Sequence, residues 1–361
     1  MKNKFILLCA ATVALAACAK TEVTPEVPEQ DAEITFITAP VTKASTVEFS
    51  TGNVFKSAAF YDYSSFAYGS TTAEEFIKPS VVKYFTSVWR ATADDETTAK
   101  SYYWPKDGGK LTFFSWSLNK NSLTFTQGTP TVSITSDNGV KVENYSSLKN
   151  DDFMVADIQK DKTANEGPTY KTTGVPTLFR HKTSQFIVKV RTKDDYTVDP
   201  YKQVFTIDEI NFIKLGTEGS YTQNDETWTL GTVSADPVEF YKKATAGQVV
   251  NYKDKVADAE AVTPSGTYLY IPQKSSADQK LQVKYTVSRT DKNNNVRTSS
   301  YTAEKSLSDL GFSSFAAGTK YIITLTFALD EILWDPAIQE WADGDSKTGT
   351  VSGNSITVEQ F

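Results

Sequence analysis

Alternation of apolar and polar residues is the dominant pattern along this chain. Residues 281–287 have the sequence Leu-Gln-Val-Lys-Tyr-Thr-Val, and residues 321–327 follow nearly the same rule. A period of two places one face of a β-strand in a core and the other in solvent. Further runs rich in β-branched and aromatic residues predict strands at 54–61, 110–117, 185–191 and 204–207.

Turn-forming residues separate these runs, and helical periodicity is rare. Only residues 335–341 and 71–77 have a spacing that predicts short helices. The predicted turns, rich in Gly, Asn and Asp, lie at 106–109, 136–139, 292–295 and 352–355. The pattern therefore predicts an all-β fold of the sandwich kind, and the lack of an internal repeat argues against propellers and solenoids.

The predicted domain organisation follows from length and from one loop-like stretch. A chain of 361 residues is long enough for two domains. Residues 157–175 are rich in Lys, Asp, Gly and Pro, and strand character resumes at Leu178. We therefore expect two β-sandwich domains in tandem, at 33–176 and 177–361, with the boundary near residue 176.

The first residues have the organisation of a secretory signal peptide. Lys2 and Lys4 precede an apolar run at 5–17 that is too short to span a bilayer. We expect residues 1–17 to be removed on export. Residues 18–32, which include Pro25 and Pro28 and have little apolar periodicity, are expected to form a tether.

Cys18 is the predicted lipidation site. Leu15-Ala16-Ala17-Cys18 resembles the bacterial lipobox, in which the cysteine carries acyl chains such as palmitate. Cys9 leaves with the signal peptide, so Cys18 is the one thiol that remains. We expect anchoring to the outer membrane through Cys18, the alternative being an ordinary signal peptide followed by an incidental cysteine.

Composition excludes several classes of function. Lys plus Arg number 37 against 44 for Asp plus Glu, which argues against a nucleic-acid partner. One His and two Cys are too few for most metal centres and catalytic triads. His181 enters a predicted strand with no nearby nucleophile, and Asp343-Gly344-Asp345-Ser346 lacks the later ligands of a calcium loop. We therefore expect no catalytic residue, no metal, no cofactor and no enzymatic activity.

The aromatic content allows two interpretations. The chain has 6 Trp, 18 Tyr and 21 Phe. They are favoured as core volume in a sandwich without disulfides. The alternative is that some form a platform on which sugars stack.

Several blocks of sequence, taken in order, resemble the fimbrillin-like pilins of the Bacteroidota. In the first half these are Thr42-Lys43-Ala44, Tyr102-Tyr103-Trp104-Pro105, residues 111–117 and residues 152–156. In the second half they are residues 178–182, 186–190, 268–273 and 321–325. Their order and spacing behind a lipobox carry the resemblance, which extends from about residue 33 to the end.

The resemblance implies two transthyretin-like sandwiches in a structural or adhesive subunit of cell-surface fimbriae, in a stalk, anchor or tip position. The implied partners are other fimbrial subunits or copies of the chain itself, with a host or bacterial surface receptor as a further class. The alternative function is a glycan-binding lipoprotein of the outer-membrane surface.

The resemblance also implies assembly by β-strand donation, and this sequence offers a segment for each role. Ile34 and Phe36 suit a provisional amino-terminal strand, and Lys43 and Ala44 flank the bond that a trypsin-like protease would cut. At the other end, Ile356 and Val358 suit a donor strand. The alternative for this tail is an internal hairpin strand that turns at Gly353-Asn354.

One feature departs from the family pattern. The candidate processing residue is Lys43 rather than arginine, and the first arginine of the chain is Arg90. An arginine-specific protease therefore has no site in the amino-terminal segment. An uncut anchor or accessory subunit is the corresponding alternative.

Overall fold

The computed structural model describes residues 31–38, 47–126, 128–166 and 170–341, together with the strand at 356–359. The predicted signal peptide, most of the predicted tether and the segment Asp343-Gly344-Asp345-Ser346 lie outside these residues. So do Cys18, Lys43, Ala44 and the predicted turn at Gly353-Asn354.

Strands dominate the first half of the chain, with one short α-helix, α1, at Tyr170–Thr173 and a 3₁₀ turn at Ser147–Lys149. The strands are β1 Phe36–Ile37, β2 Phe55–Asp62, β3 Glu74–Phe85, β4 Val88–Ala91, β5 Lys110–Leu118, β6 Thr131–Thr135, β7 Gly139–Ser146, β8 Phe153–Ala156, β9 Gln159–Lys162, β10 Val175–Pro176 and β11 Phe179–His181.

The second half is also built from strands, with a second 3₁₀ turn at Val256–Asp258. Its strands are β12 Ser184–Thr192, β13 Gln203–Ile213, β14 Glu218–Thr222, β15 Thr227–Leu230, β16 Val238–Lys242, β17 Gln248–Val249, β18 Glu260–Ala261, β19 Leu269–Tyr270, β20 Gln273–Lys274, β21 Lys280–Thr290, β22 Val296–Ser306, β23 Ser314–Phe315, β24 Thr319–Phe327, β25 Glu331–Glu340 and β26 Ile356–Glu359.

The prediction of an all-β fold is confirmed, and both predicted helices are wrong. Most of the segment at 71–77 lies in β3, and residues 335–340 lie in β25. β25 pairs along its whole length with β24, from Thr319 opposite Glu340 to Phe327 opposite Ile332. This continuous ladder fixes an extended backbone, because tertiary pairing outweighs the weak local preference of a short segment.

Two sheets enclose the first part of the molecule. The first sheet has nine strands in the order β10-β1-β4-β3-β2-β5-β8-β11, with β9 paired to β5. The second sheet has the order β15-β14-β7-β6. Because β5 is buried on both faces, its neighbouring residues enter different cores: Phe113 packs in the first core, with Phe36 and Phe55, and Phe114 packs in the second core, with Val142.

The second sheet joins the two halves of the sequence. β14 pairs with β7, and Tyr221 and Trp228 of the β14–β15 hairpin pack in the second core beside Tyr145 and Phe153. This hairpin follows residue 176 in sequence although it completes a sheet that begins before it. The division into domains at 33–176 and 177–361 stays a prediction.

Two further sheets form the rest of the molecule. The third sheet has the order β18-β12-β24-β25-β26, with β19 also paired to β12, and the fourth has the order β16-β13-β21-β22, with β17 paired to β13. The alternating side chains of β12 and β21 meet between them in the third core, which includes Phe186, Phe212, Leu281 and Ile323. A two-stranded ribbon, β20 with β23, completes the fold.

Candidate strand-exchange site

β1 is a short strand in the interior of the first sheet. It lies between β4, with which it pairs antiparallel, and β10, with which it pairs parallel. Phe36 is opposite Trp89 on one side and opposite Val175 on the other. β1, although close to the described start of the chain, is therefore an interior strand with a paired strand on each side.

Main-chain hydrogen bonds hold this segment on both sides. The amide of Val175 donates to the carbonyl oxygen of Thr35 at 2.7 Å, and the amide of Thr177 donates to that of Ile37 at 2.8 Å. Before β1, the amide of Ile34 donates to the carbonyl oxygen of Tyr102 at 2.7 Å. Loss of the segment would leave these donors and acceptors without partners.

Ile34 and Phe36 lie in the first core, as the predicted provisional strand requires. Each is only 3% exposed. The Phe36 ring makes edge contacts with Phe55 and Phe113 at centroid distances of 5.7 and 6.0 Å. Burial of two such side chains contributes roughly 1.5–3 kcal/mol each.

Gly174 allows β10 to approach β1 closely. Its φ is +86°, a region that other residues enter only with strain. A Cβ at this position would lie 2.9 Å from the carbonyl carbon of Phe36. Glycine at position 174 is therefore required both by its own backbone and by the neighbouring strand.

An ion pair anchors the start of the segment. Glu33 accepts hydrogen bonds from Arg90 Nε and Nη2 at 3.0 and 2.8 Å, and from Ser101 Oγ at 2.6 Å. The hydrogen bond from Arg90 is the largest cause that lowers the pKa of Glu33 below its usual value. The carboxylate is therefore charged, and bound, at neutral pH.

The chain re-enters the first core soon after the candidate processing bond. Val47 is 4% exposed, and its amide donates to the carbonyl oxygen of Phe179 at 2.9 Å. Phe49 stacks on Phe179 at a centroid distance of 4.4 Å. Contacts to the core thus exist on each side of Lys43 and Ala44, which themselves lie outside the described residues.

The predicted donor segment forms β26 at the edge of the third sheet. It pairs antiparallel with β25, with Ile356 opposite Trp334 and Val358 opposite Ile332. Among the described strands, β26 has β25 as its one partner, and an antiparallel pairing with β25 is also what the hairpin alternative predicts. The use of this strand as a donor stays a prediction.

The partners of β1 come from distant parts of the sequence. Its site is lined by Trp89, Arg90, Ser101 and Val175. None of them was identified from the sequence as a contact of β1. No local motif marks them, because strand register brings them together only in the folded chain. Alternation at Ile34 and Phe36 was the one local signal.

His181 is buried and held by neighbouring side chains. His181 is 3% exposed, its Nδ1 lies 2.8 Å from Asp152 Oδ2, and its ring stacks on Trp341 at 3.7 Å. The adjacent Asp151 instead accepts hydrogen bonds from Thr126. These two neighbouring carboxylates thus bind different groups.

Most tryptophans serve the cores. Trp228 is partly buried and donates to the carbonyl oxygen of Lys182, and the other five are buried: Trp89, Trp104, Trp116, Trp334 and Trp341.

No group of three or more His, Cys, Asp or Glu side chains within the described ranges is placed to hold a metal ion. Across the same ranges, no helix is both long and apolar enough to cross a membrane.

Comparison with known proteins gives a family and a related fold. The model of the fimbrillin-like family matches residues 42–341. A fimbrial protein from Bacteroides vulgatus has a similar crystal structure, with a TM-score of 0.57 at 17% identity over 80% of this chain and 92% of that one.

Two further crystal structures are more distant. A candidate cell adhesion protein from Bacteroides uniformis has a TM-score of 0.48 at 14% identity, covering 86% of this chain and 100% of that one. The tip fimbrial protein Mfa3 from Porphyromonas gingivalis has a TM-score of 0.33 at 9% identity, covering 86% and 98%. No curated protein sequence matches.

The family match spans most of the chain, and its fold is that of a fimbrial protein. The chain therefore belongs to the fimbrillin-like family, and it is a fimbrial subunit rather than an enzyme.

Proposed function

We propose that this chain is a structural or adhesive subunit of surface fimbriae that assembles by exchange of β1 for a strand of a neighbouring subunit. The segment that contains Ile34 and Phe36 acts as the provisional strand. A cut between Lys43 and Ala44 releases it. A strand from the neighbouring subunit then takes its place between β4 and β10.

The observation that carries the proposal is the burial of Phe36 in an interior strand and of Ile34 just before it. An interior strand leaves two unpaired edges when it departs, whereas an edge strand leaves one. Removal of β1 would uncover the rings of Phe55 and Phe113 and separate β10 from the rest of the first sheet. An incoming extended segment would restore both the backbone pairing and the apolar contacts.

β26 is the proposed donor. It is a short strand with one described neighbour, β25, so its release leaves one strand edge unpaired, whereas release of β1 leaves two. Its alternation at Ile356 and Val358 matches that of Ile34 and Phe36. A copy of this chain, or another subunit with a similar tail, is therefore the proposed partner.

A designed cleavage site gives a direct test. Since Arg90 is the first arginine, Lys43→Arg creates a new site for an arginine-specific protease in a segment that otherwise has none. We expect cut Lys43→Arg protein to lose residues up to 43 and to form oligomers visible by size-exclusion chromatography and electron microscopy. The wild-type chain, treated in the same way, is the matched control.

Two results would contradict the proposal. One is a cut variant that loses the segment and stays a stable monomer. The other is oligomers that form equally well after deletion of residues 355–361, which would remove β26 from the mechanism. A stable cut monomer would favour the uncut anchor or accessory role.

We also propose that Cys18 anchors the chain to the outer membrane through its acyl chains. Cys9 lies in the predicted signal peptide, so Cys18 is the thiol that would remain after cleavage, which supports this role. Cys18→Ser should move the protein from the membrane fraction to the soluble fraction of cells. If the variant stays with the membrane, a different interaction holds it there.

A further inference from the structure

A hollow of about 690 Å³ lies beside the ends of β2 and β3, and strand exchange does not use it. Three aromatic rings line it, from Tyr61, Tyr63 and Phe76. Its volume lies in the range of sites that bind small ligands. Tyr63 is 65% exposed, the largest exposed fraction among the large hydrophobic side chains of the described residues.

The rings form an ordered series. Tyr61 and Phe76 are nearly parallel, with an interplanar angle of 25° and a centroid distance of 6.3 Å. Tyr63 meets Tyr61 edge to face at 5.2 Å. One ring is thus presented to solvent, and the other two support it.

A single carboxylate fixes both tyrosines. Tyr61 and Tyr63 donate their hydroxyl hydrogens to the same oxygen of Asp107, Oδ2, at 2.8 and 2.9 Å. The amide of Gly109 donates to Oδ1 at 3.0 Å, and it is the largest cause of the lowered pKa of Asp107. The two rings are therefore positioned before any ligand arrives, which reduces the entropy lost on binding.

Gly109 is part of this arrangement. A Cβ at position 109 would lie 2.0 Å from the ring of Tyr61. The hydroxyl end of the ring (Cε2, Cζ and the hydroxyl oxygen) therefore occupies the space that the Cβ of any other residue would fill.

The charge of the lining restricts the ligand. Its acidic residues are Asp62, Glu74, Glu75 and Asp107, and within the described chain no basic residue lines it. Asp62 accepts hydrogen bonds from Ser64, Ser70 and Thr72, and Asp107 accepts those from the tyrosines, so both carboxylates are already occupied.

Glu74 and Glu75 are the remaining carboxylates. Both are exposed, and within the described residues neither side chain makes a hydrogen bond or an ion pair. Glu74 is opposite Tyr61 in the register of β2 and β3, on the face of the rings. Exposed carboxylates contribute little to binding a cation, so a ligand of this hollow must gain most of its affinity by stacking.

We propose that the hollow binds a neutral or amino hexopyranose of a surface glycan. The apolar face of the pyranose ring stacks on Tyr63, and its hydroxyl groups donate hydrogen bonds to Glu74 and Glu75. Sugars that carry a carboxylate or sulfate are rejected, because the lining supplies negative charge and no cation. This inference is independent of the proposed strand exchange and holds for an uncut subunit as well.

Calorimetric titration of the full mature chain tests the proposal with three probes: chitotriose in its N-acetylated form as a neutral glycan, trigalacturonate as a glycan with a carboxylate on every ring, and a lysine tetrapeptide as a cation without a sugar. We expect measurable binding of chitotriose and none of trigalacturonate. Tyr63→Ala should weaken chitotriose binding about 3- to 10-fold, the effect of losing one aromatic stack. Tyr63→Phe keeps the ring and should retain binding.

Tyr252→Ala is the matched control. Tyr252 is also an exposed tyrosine, 44% exposed, and its hydroxyl also lies near an aspartate, Asp254, at 3.4 Å. It lies far along the chain from the hollow, and its loss should leave chitotriose binding unchanged.

The proposal is wrong if chitotriose does not bind, if Tyr63→Ala binds it as the wild type does, or if trigalacturonate binds equally well. Binding of the lysine peptide in preference to chitotriose would also overturn it and would mark a site for cationic chains.

Discussion

The strands at the two ends of the described chain differ in how the fold depends on them. β1 pairs with β4 and β10, and Phe36 in this strand and Ile34 just before it are each 3% exposed. β26 pairs with β25 alone, at the edge of the third sheet. Loss of β1 would separate β10 from its sheet, because β1 is the one neighbour of β10 among the described strands, whereas loss of β26 would remove only an edge strand.

This difference suits opposite roles in assembly. A site from which an interior strand has been lost has a strong requirement for a replacement, since two edges and an apolar surface are exposed together. A terminal edge strand can leave at low cost and present its own unpaired groups. β1 therefore suits the acceptor site and β26 suits the donor.

The largest expected effect comes from removing the Phe36 ring. Phe36→Ala should destabilise the chain by about 3–5 kcal/mol, since it leaves a cavity between Phe55 and Phe113. Urea denaturation of the uncut protein measures this change. Val296→Ala, on an exposed strand where the side chain is 63% exposed, is the control and should change stability little.

An unchanged unfolding free energy for Phe36→Ala would show that β1 does not occupy the first core in solution. Ile34→Asp provides a second measurement at the same site. It places a charge where only 3% of the side chain is exposed, and it should destabilise the segment strongly.

Alternation in the sequence predicted these buried residues, and it predicted β12, β21 and β24, because a period of two is a local property. It failed at 335–340, where Trp334, Ile338 and Trp341 are spaced as on a helix. Their environment is set by β24, a strand that local periodicity does not identify as the partner of β25. Pairing with another strand is information that a single segment does not contain, even where that strand is the preceding one in the sequence.

The same limit explains why the sites were only partly predicted. The hydroxyl of Tyr61 meets Asp107 across 46 residues of sequence, and Glu33 meets Arg90 across 57. Neither pair forms a motif. Sequence patterns can propose which residues are buried in a strand, while the partners that give them a function depend on register and on the order of strands in the sheet.

A second prediction concerns the wall of the acceptor site. Gly174→Ala should destabilise the chain by roughly 1–3 kcal/mol, because alanine is strained at a φ of +86° and its Cβ would press on β1. Gly311→Ala is a matched control: its φ is +85°, and a Cβ there would meet nothing within 4 Å. The difference between the two variants in urea denaturation isolates the contact with β1, and equal losses would show that this contact contributes nothing.

A third prediction concerns the donor. Deletion of residues 355–361 should change the unfolding free energy of the uncut monomer by no more than about 1 kcal/mol. The deletion removes a few hydrogen bonds, each worth about 0.5–1.5 kcal/mol net. It also removes the entropic cost of ordering the four residues of β26, which offsets that loss. A loss as large as that of Phe36→Ala would remove the contrast between the two terminal strands.

The smallest expected effect is a dependence of β1 on pH through Glu33. The hydrogen bond from Arg90 lowers the pKa of Glu33 in the folded chain, so this carboxylate stabilises the fold above its ordinary pKa and loses that contribution as pH falls through the lowered value. For this partly exposed ion pair, Glu33→Gln should remove under about 1 kcal/mol at pH 7, and progressively less as the pH falls through the lowered pKa.

Hydrogen exchange at the amides of Val175 and Thr177 reports this effect at β1 itself, because these amides donate to Thr35 and Ile37. Their exchange should be faster in Glu33→Gln than in the wild type at pH 7, and the two proteins should converge in acid. Glu304→Gln removes a comparable carboxylate, paired with Lys280 between β21 and β22, and should leave these two amides unaffected. If Glu304→Gln accelerates them as much as Glu33→Gln does, the exchange reflects global unfolding, and β1 is not an independently releasable strand.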